Sequence, residues 1–158
     1  MLDKRRLQSA ILERLQADLA LLTRAAHLAR DEATSEESKA EGKYDTRAQE
    51  AAYLAEGQAR QAAELLETIA LYQNLPLQPI TGTIAVGAVV TLGGPGEGVQ
   101  YLLGPRAGGL EVEVDGTPVI VVTPSSPLGR QLLGRQRGEA VMLPGRGKPA
   151  VQLISAYY

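Results

Sequence analysis

The 158-residue chain has no cysteine, no phenylalanine, no tryptophan and a single histidine, His27. Without cysteine there is no disulfide, no thiolate zinc site and no cysteine nucleophile, a composition that suits a reducing compartment. One histidine excludes any site that needs two, and His27, beside the apolar stripe of a helix, reads as a flank residue. Six tyrosines are the whole aromatic complement, so a base-stacking platform or an aromatic-lined pocket has little to be built from. Charge of one sign is lacking too. Sixteen Lys+Arg stand against eighteen Asp+Glu, a net of −2, which is not the positive field that sequence-independent phosphate binding needs. Little direct DNA binding is expected, and any nucleic-acid contact should be local or indirect. No continuous apolar run reaches signal-peptide or membrane-spanning length. The expectation is a soluble cytoplasmic protein with no membrane partner.

Glycine and proline are scarce before Asn74 and dense after it. In the first half Leu7, Ile11, Leu15, Leu19, Leu22, Ala26 and Ala29 recur every three or four residues, which predicts a long amphipathic helix from about Asp3 to Asp31. A second stripe runs through Ala48, Ala51 or Ala52, Ala55, Ala59, Ala62, Leu66, Ile69 and Tyr72. Each stripe is narrow, and an isolated helix is marginal in water. The two helices are therefore expected to pack on each other as an antiparallel coiled-coil hairpin over residues 1–75, each arm about 40 Å long. Its turn falls within an acidic tip near residues 31–45, which contains Asp31, Glu32, Glu36, Glu37, Glu41 and Asp45 with Lys39 and Lys43 interleaved.

After Pro79 the pattern becomes β. Short runs at Thr83–Leu92, Val99–Leu103, Leu110–Val114, Val119–Val122 and Val151–Tyr157 are separated by Gly/Pro turns, and Asp115-Gly116 is a hairpin signal. Pro127 to Gly134 has proline at the start and glycine at the end of a short helix. The fold class expected is α+β in two parts: the helical hairpin, then an antiparallel sheet domain with one short helix over residues 77–158. Gly93-Gly94-Pro95-Gly96-Glu97-Gly98 lacks the Lys-Ser/Thr and the following helix of a phosphate loop and reads as a β-turn. Ser125-Ser126 reads as a helix cap rather than a nucleophile.

The segment Ser126-Pro127-Leu128-Gly129-Arg130-Gln131-Leu132-Leu133-Gly134-Arg135, followed by Gly138-Glu139-Ala140-Val141, a Pro144–Gly147 turn and a last strand ending Tyr157-Tyr158, resembles the C-terminal domain of the Gre transcript-cleavage factors. The layout of the hairpin is similar as well, with Tyr44, Tyr53-Leu54 and Glu56-Gly57 following the acidic tip. The resemblance covers nearly all of the chain and is closest in the second half. It implies an FKBP-like fold for the sheet domain. It also implies that the head holds RNA polymerase while the hairpin enters the secondary channel, where tip carboxylates share a Mg²⁺ ion with the polymerase active centre and meet nascent RNA only indirectly. Such a protein would be a monomer with no catalytic machinery of its own, a cofactor to the polymerase's own RNA cleavage.

Counting back from Tyr44, Glu37 falls where the family has its first tip acid and Ala40 where it has the second. Glu41 takes that place if the turn shifts by one residue, and Glu36 is the spare acid. Glu37 and Glu41 are thus the candidate catalytic and metal residues, and Ser126, Pro127 and Arg130 the candidates for partner binding. Lys43 stands where an acid usually precedes the tyrosine, and it adds positive charge where a metal site prefers none. Asp45 also suits the N-cap of the second helix. A regulator that occupies the channel without promoting cleavage is the alternative. A prolyl isomerase is disfavoured because Tyr101 and Tyr157 alone are left to line a pocket. A chaperone-like module is disfavoured by a polar tip.

Overall fold

The computed structural model describes residues 1–34, 46–93, 99–143 and 150–158. Two long helices come first, α1 (Lys4–Thr34) and α2 (Thr46–Gln73). Asp3 starts α1: its carboxylate accepts the Arg5 amide at 2.8 Å and its carbonyl accepts the Leu7 amide at 3.0 Å, which satisfies donors that a helix N-terminus leaves open. At 1.5 Å per residue α1 is about 46 Å long. Gln8 near its start donates to the carbonyls of Tyr72 and Gln73 at the end of α2, at 2.8 and 3.2 Å. The first turns of one helix therefore meet the last turns of the other, and the pair is antiparallel. Leu75 and Pro76 end α2, because proline offers no amide to continue it.

The chain clusters into two compact units. One is Glu13–Ala70, and the other joins Met1–Leu12 to Leu71–Tyr158. In the first, Leu15, Ala26 and Ala29 on α1 are buried, as the periodicity predicts. On α2 the buried seam is displaced from the expected one. Ala55, Thr68 and Ile69 are buried and Gln58, Ala62 and Leu65 half-buried, whereas Ala59 and Leu66 are exposed. The displaced seam takes in Gln58 and Leu65, seven residues apart, the spacing that holds one face toward a partner helix. A stripe drawn through apolar residues alone passes over the polar members Gln58 and Thr68. Thr68 satisfies its hydroxyl on the Glu64 carbonyl at 3.1 Å.

The second unit is built on a six-stranded sheet, with β1 (Val89–Leu92), β2 (Gln100–Leu103), β3 (Glu111–Val114), β4 (Thr117–Val122), β5 (Ala140–Leu143) and β6 (Ala150–Tyr157) in the order β3-β4-β2-β1-β6-β5. A short helix, α3 (Pro127–Leu132), lies between β4 and β5 in sequence. All neighbours are antiparallel except β2 and β4. The sheet is thus mixed where the sequence pattern suggested antiparallel pairing throughout. The reason is topological: β3 carries the chain back along the sheet, so β4 enters between β3 and β2 running the same way as β2. Asp115 and Gly116, at φ 51° and 79°, form the tight turn between β3 and β4 that their sequence signalled. The first β-run is shorter than its apolar pattern, since residues 86–87 form a turn with Gly87 at φ 98° and Ile84 instead exchanges backbone bonds with Gly134 and Arg135.

Alternation along the strands gives the sheet two buried faces. Val90, Leu92, Leu103, Val122, Val141 and Ile154 form one core with Leu128 and Leu132 of α3. On the other face Val89, Leu102, Val119 and Val121 are buried, as are Leu7, Ile11, Tyr72 and Leu75 from the ends of the long helices. Tyr72 is fully buried and donates to the Arg106 carbonyl at 2.6 Å. Burial raises its phenol far above its ordinary pKa of 10, and Tyr101 and Tyr158 are raised for the same reason. Between pH 10 and these raised values the unfolded chain loses phenolic protons that the folded one retains, so stability falls as pH climbs through that window. Lys4, lowered by burial, acts in the opposite sense but only below its unfolded value of 10.5. Urea unfolding followed by circular dichroism should show a declining stability limb above pH 10.5. Tyr72→Phe should be less stable at pH 7 by about 1 kcal/mol yet show a flatter alkaline limb; an unchanged slope would mean that Tyr72 does not drive it.

Candidate functional site

The Ser126–Arg135 segment is held in place by its own small residues. Ser126 is the N-cap of α3: its hydroxyl accepts the Gly129 amide at 3.1 Å and donates to the Thr123 carbonyl at 2.7 Å. Pro127 occupies the first helical turn, where a missing amide costs nothing and the fixed φ suits the helix. Gly129 lies against the Thr123 carbonyl so closely that any Cβ would collide with backbone. Gly134, at φ 79°, leaves the helix in the left-handed conformation and donates to the Ile84 carbonyl at 2.8 Å, as glycine does after helix ends. Leu128 and Leu132 point into the core.

Of the three residues predicted to bind a partner, Ser126 is half-buried with its hydroxyl committed on both sides, Pro127 is exposed, and Arg130 is exposed in the last turn of α3. The Arg130 guanidinium has no hydrogen-bond or ion-pair partner among the described residues. Pro127 and Arg130 are thus open to solvent on a helix whose other residues are fixed. Farther along, Arg135 donates to Glu139 at 3.0 Å and the Gln136 amide donates to the other oxygen of the same carboxylate at 2.5 Å. The Gln136 amide first and Arg135 second hold the Glu139 carboxyl below its usual range. Arg137, next in sequence to this knot, is exposed.

Glu36, Glu37 and Glu41, the candidate catalytic and metal residues, lie outside the described residues, as do Tyr44 and Asp45. Among the described residues no group of three or more His, Asp or Glu side chains is placed to hold a metal ion, and no helix is long and apolar enough to cross a membrane. The Gly94–Gly98 stretch also lies outside the described residues. Tyr101 borders a cleft of about 230 Å³ together with Leu92, Val99, Leu143 and Gln152. Tyr157 packs on the same core as Tyr101 and donates to the Gly82 carbonyl.

Sequence reasoning passed over Lys4. Its side chain is 9% exposed, and its ammonium donates to the carbonyls of Gly87 at 2.8 Å and Gln78 at 3.2 Å beneath the Tyr158 ring. Its place one turn before Leu7, on the apolar stripe, was the available signal.

These elements define a two-part α+β protein, a long antiparallel helix pair and a mixed sheet carrying one capped short helix. No family model matches the sequence, and no curated protein does. Among solved structures it is similar to GreA factor homolog 1 (Gfh1) of Thermus thermophilus, at 22% identity over 93% of this chain and 94% of that one with a TM-score of 0.35. It is also similar to a structure of the transcription factor Gfh1, at 19% identity over 94% of each chain with a TM-score of 0.41. Gfh1 of Thermus aquaticus is 20% identical over 92% of each chain with a TM-score of 0.37.

The geometry of α3 separates two kinds of residue. Gly129→Ala should destabilise the protein by about 3 kcal/mol or more, and Ser126→Ala by about 1 kcal/mol. Arg130→Ala should stay within about 0.5 kcal/mol of wild type. Thermal or urea melts read all three, and an Arg130→Ala chain as unstable as Gly129→Ala would make Arg130 part of the fold.

Proposed function

We propose that this protein is a Gre-type regulator of bacterial RNA polymerase that docks through its sheet domain and extends the helix pair into the secondary channel. The observation that carries this reading is the run from Ser126 to Arg135. Its resemblance to the Gre C-terminal domain extends to the last strand, and a long helix pair precedes it in the same order. In this reading Arg130 and Pro127, exposed on α3, face the polymerase, and the acids Glu37 and Glu41 approach its active centre. Mg²⁺ held jointly with the polymerase would supply the charge stabilisation for RNA hydrolysis. This chain's own part is to bring the carboxylates to it, as hard oxygen ligands of the kind Mg²⁺ takes. In this reading the hydrolysis itself belongs to the polymerase.

A second reading has a specific observation behind it. With Ala40 in the position of the second tip acid and Lys43 beside Tyr44, the tip carries fewer ligands and an added positive charge. Such a tip favours occupying the channel without promoting cleavage.

Transcript cleavage on a stalled, backtracked elongation complex with the cognate polymerase and Mg²⁺ distinguishes the two. Cleavage by wild type that is lost in Glu37→Ala/Glu41→Ala, with polymerase binding retained, identifies a cleavage-promoting factor. Binding without cleavage, together with slowed RNA synthesis, identifies the channel-occupying regulator. Absence of binding overturns both. Arg130→Ala should weaken polymerase binding by roughly tenfold, the range of one charge-assisted hydrogen bond, while leaving the melting temperature unchanged.

A further inference from the structure

The sheet has two edges, and they are closed by different means. β3 carries Glu111 and Glu113, both exposed, so an approaching strand meets two carboxylates. β5 has no charge at all; it reads Ala140, Val141, Met142, Leu143. Its register against β6 pairs Ala140 with Leu153, Val141 with Gln152 and Met142 with Val151. The Glu139 carbonyl accepts the Ile154 amide at 2.9 Å. The Glu139 carbonyl and the backbone groups of residues 141 and 143 therefore turn toward β6, and those of Ala140 and Met142 turn outward, by the alternation of an antiparallel ladder. The outward pair of Met142 is occupied. Gln131 of α3 donates its amide to the Met142 carbonyl at 2.9 Å and accepts the Met142 amide on its side-chain oxygen at 2.7 Å. One side-chain amide thus makes the two bonds that the peptide groups of a neighbouring strand would make.

The surface beside this edge is apolar. Met142, Val151 and Leu153 share the outer face of β5 and β6 and are 48%, 65% and 55% exposed. An uncharged edge flanked by an exposed apolar strip is a template for strand addition.

We infer that Gln131 is a plug that keeps the β5 edge from adding a strand, and that the strand it keeps out is β5 of a second copy of this chain. Two copies of β5 related by a twofold axis through Val141 run antiparallel, with Ala140 of one copy opposite Met142 of the other. They exchange backbone bonds through their outward groups and merge two apolar strips into one continuous face. β5 has four residues and only two outward positions, so an unrelated strand gains a ladder too short to hold by itself. A second copy adds its own Met142, Val151 and Leu153 to the buried area. With Gln131 in place, only the outward groups of Ala140 remain open on β5 among the described residues, and a single position does not hold a strand.

The test is the mass in solution of the full chain over a range of concentrations, by gel filtration with light scattering. Wild type should run as the 16.8 kDa monomer. Gln131→Ala should form dimers in rising proportion with concentration, and Gln131→Ala/Met142→Pro should return to monomer. Proline at 142 removes an outward amide and no bond to β6. Gln131→Asn, polar but one methylene too short to span both groups, should behave as Gln131→Ala does. A folded Gln131→Ala chain that stays monomeric, a dimer that survives Met142→Pro, or a wild type already dimeric overturns the inference. Amide hydrogen exchange on wild type provides a reading that needs no variant: the Met142 amide should exchange roughly tenfold more slowly than that of Ala140. Equal rates at the two positions would show that the plug does not form.

Discussion

Burial of Tyr72 against the sheet is the constraint on which the sheet-bearing unit depends. The ring comes from the last turn of α2 and is fully buried, and its hydroxyl reaches the Arg106 carbonyl in the loop after β2. Space for it is made by Gly104, where a Cβ would collide with the phenol and with Val121. A loop drawn tight around that hydroxyl must turn sharply. Ala107 adopts a left-handed φ of 61° within it, a conformation that costs an ordinary residue roughly 1–2 kcal/mol. The Gly109 amide bond to the Val121 carbonyl and the Leu110 amide bond to the Ala107 carbonyl, at 2.8 and 3.1 Å, close the loop in that shape. One buried aromatic thus accounts for a glycine, a strained alanine and the path of the chain between β2 and β3.

The start of α1 is tied to the same unit by a buried ammonium. Lys4 has carbonyl partners and an aromatic ring but, among the described residues, no carboxylate, so desolvation outweighs what supports its charge and its pKa falls. Carbonyl dipoles and a ring face make a weaker environment for a cation than a counter-ion does. They suit a site where a buried carboxylate would itself need partners. The cost is offset because Lys4 satisfies two carbonyls at once. Tyr158 above it accepts the Leu2 amide at 2.8 Å and reaches Gln100 at 3.2 Å. The two ends of the chain therefore meet over β2. The exposed Arg6–Asp115 pair at 2.5 Å adds little to this, since surface ion pairs contribute ~0–1 kcal/mol. Its geometry nonetheless places the β3–β4 turn beside α1.

Much of this was legible in the sequence because it rests on local rules. Helical periodicity located α1 and α2, Asp115-Gly116 located the β3–β4 turn, and Ser126-Pro127 with Gly134 bracketed α3. What escaped was decided at long range. The α2 seam runs through Gln58 and Thr68, polar residues that apolar counting skips and that only the opposing helix selects. The parallel β2–β4 pair depends on where β3 lies in the sheet, and strand patterns do not encode sheet order. β5, four residues long between glycine-containing stretches of sequence, has too little alternation to be seen by periodicity and is legible only through the resemblance of Gly138 to Val141. Lys4 escaped because its carbonyl partners, Gln78 and Gly87, lie more than seventy residues away. Of the candidate site, Ser126, Pro127 and Arg130 were legible as a capped helix, but composition could not tell which of them the fold had already claimed.

That division bears on how the Ser126–Arg135 segment is read. Ser126 is spent on the cap, Pro127 suits the first turn, Gly129 is required by the Thr123 carbonyl, Leu128 and Leu132 fill the core, and Gly134 makes the exit. Gln131 is engaged with the β5 edge and Arg135 with Glu139. Any chain that places a short helix against this sheet in this way needs most of these residue types, whatever it binds. Arg130 is different: it is exposed, its side chain has no partner among the described residues, and a helix of this kind would fold with almost any residue in its place. The physical requirements of the fold therefore explain most positions in the segment and leave two exposed side chains unexplained, the apolar Leu133 and the Arg130 guanidinium. If the segment meets a partner through a specific contact, Arg130 is where loss of affinity should separate from loss of stability.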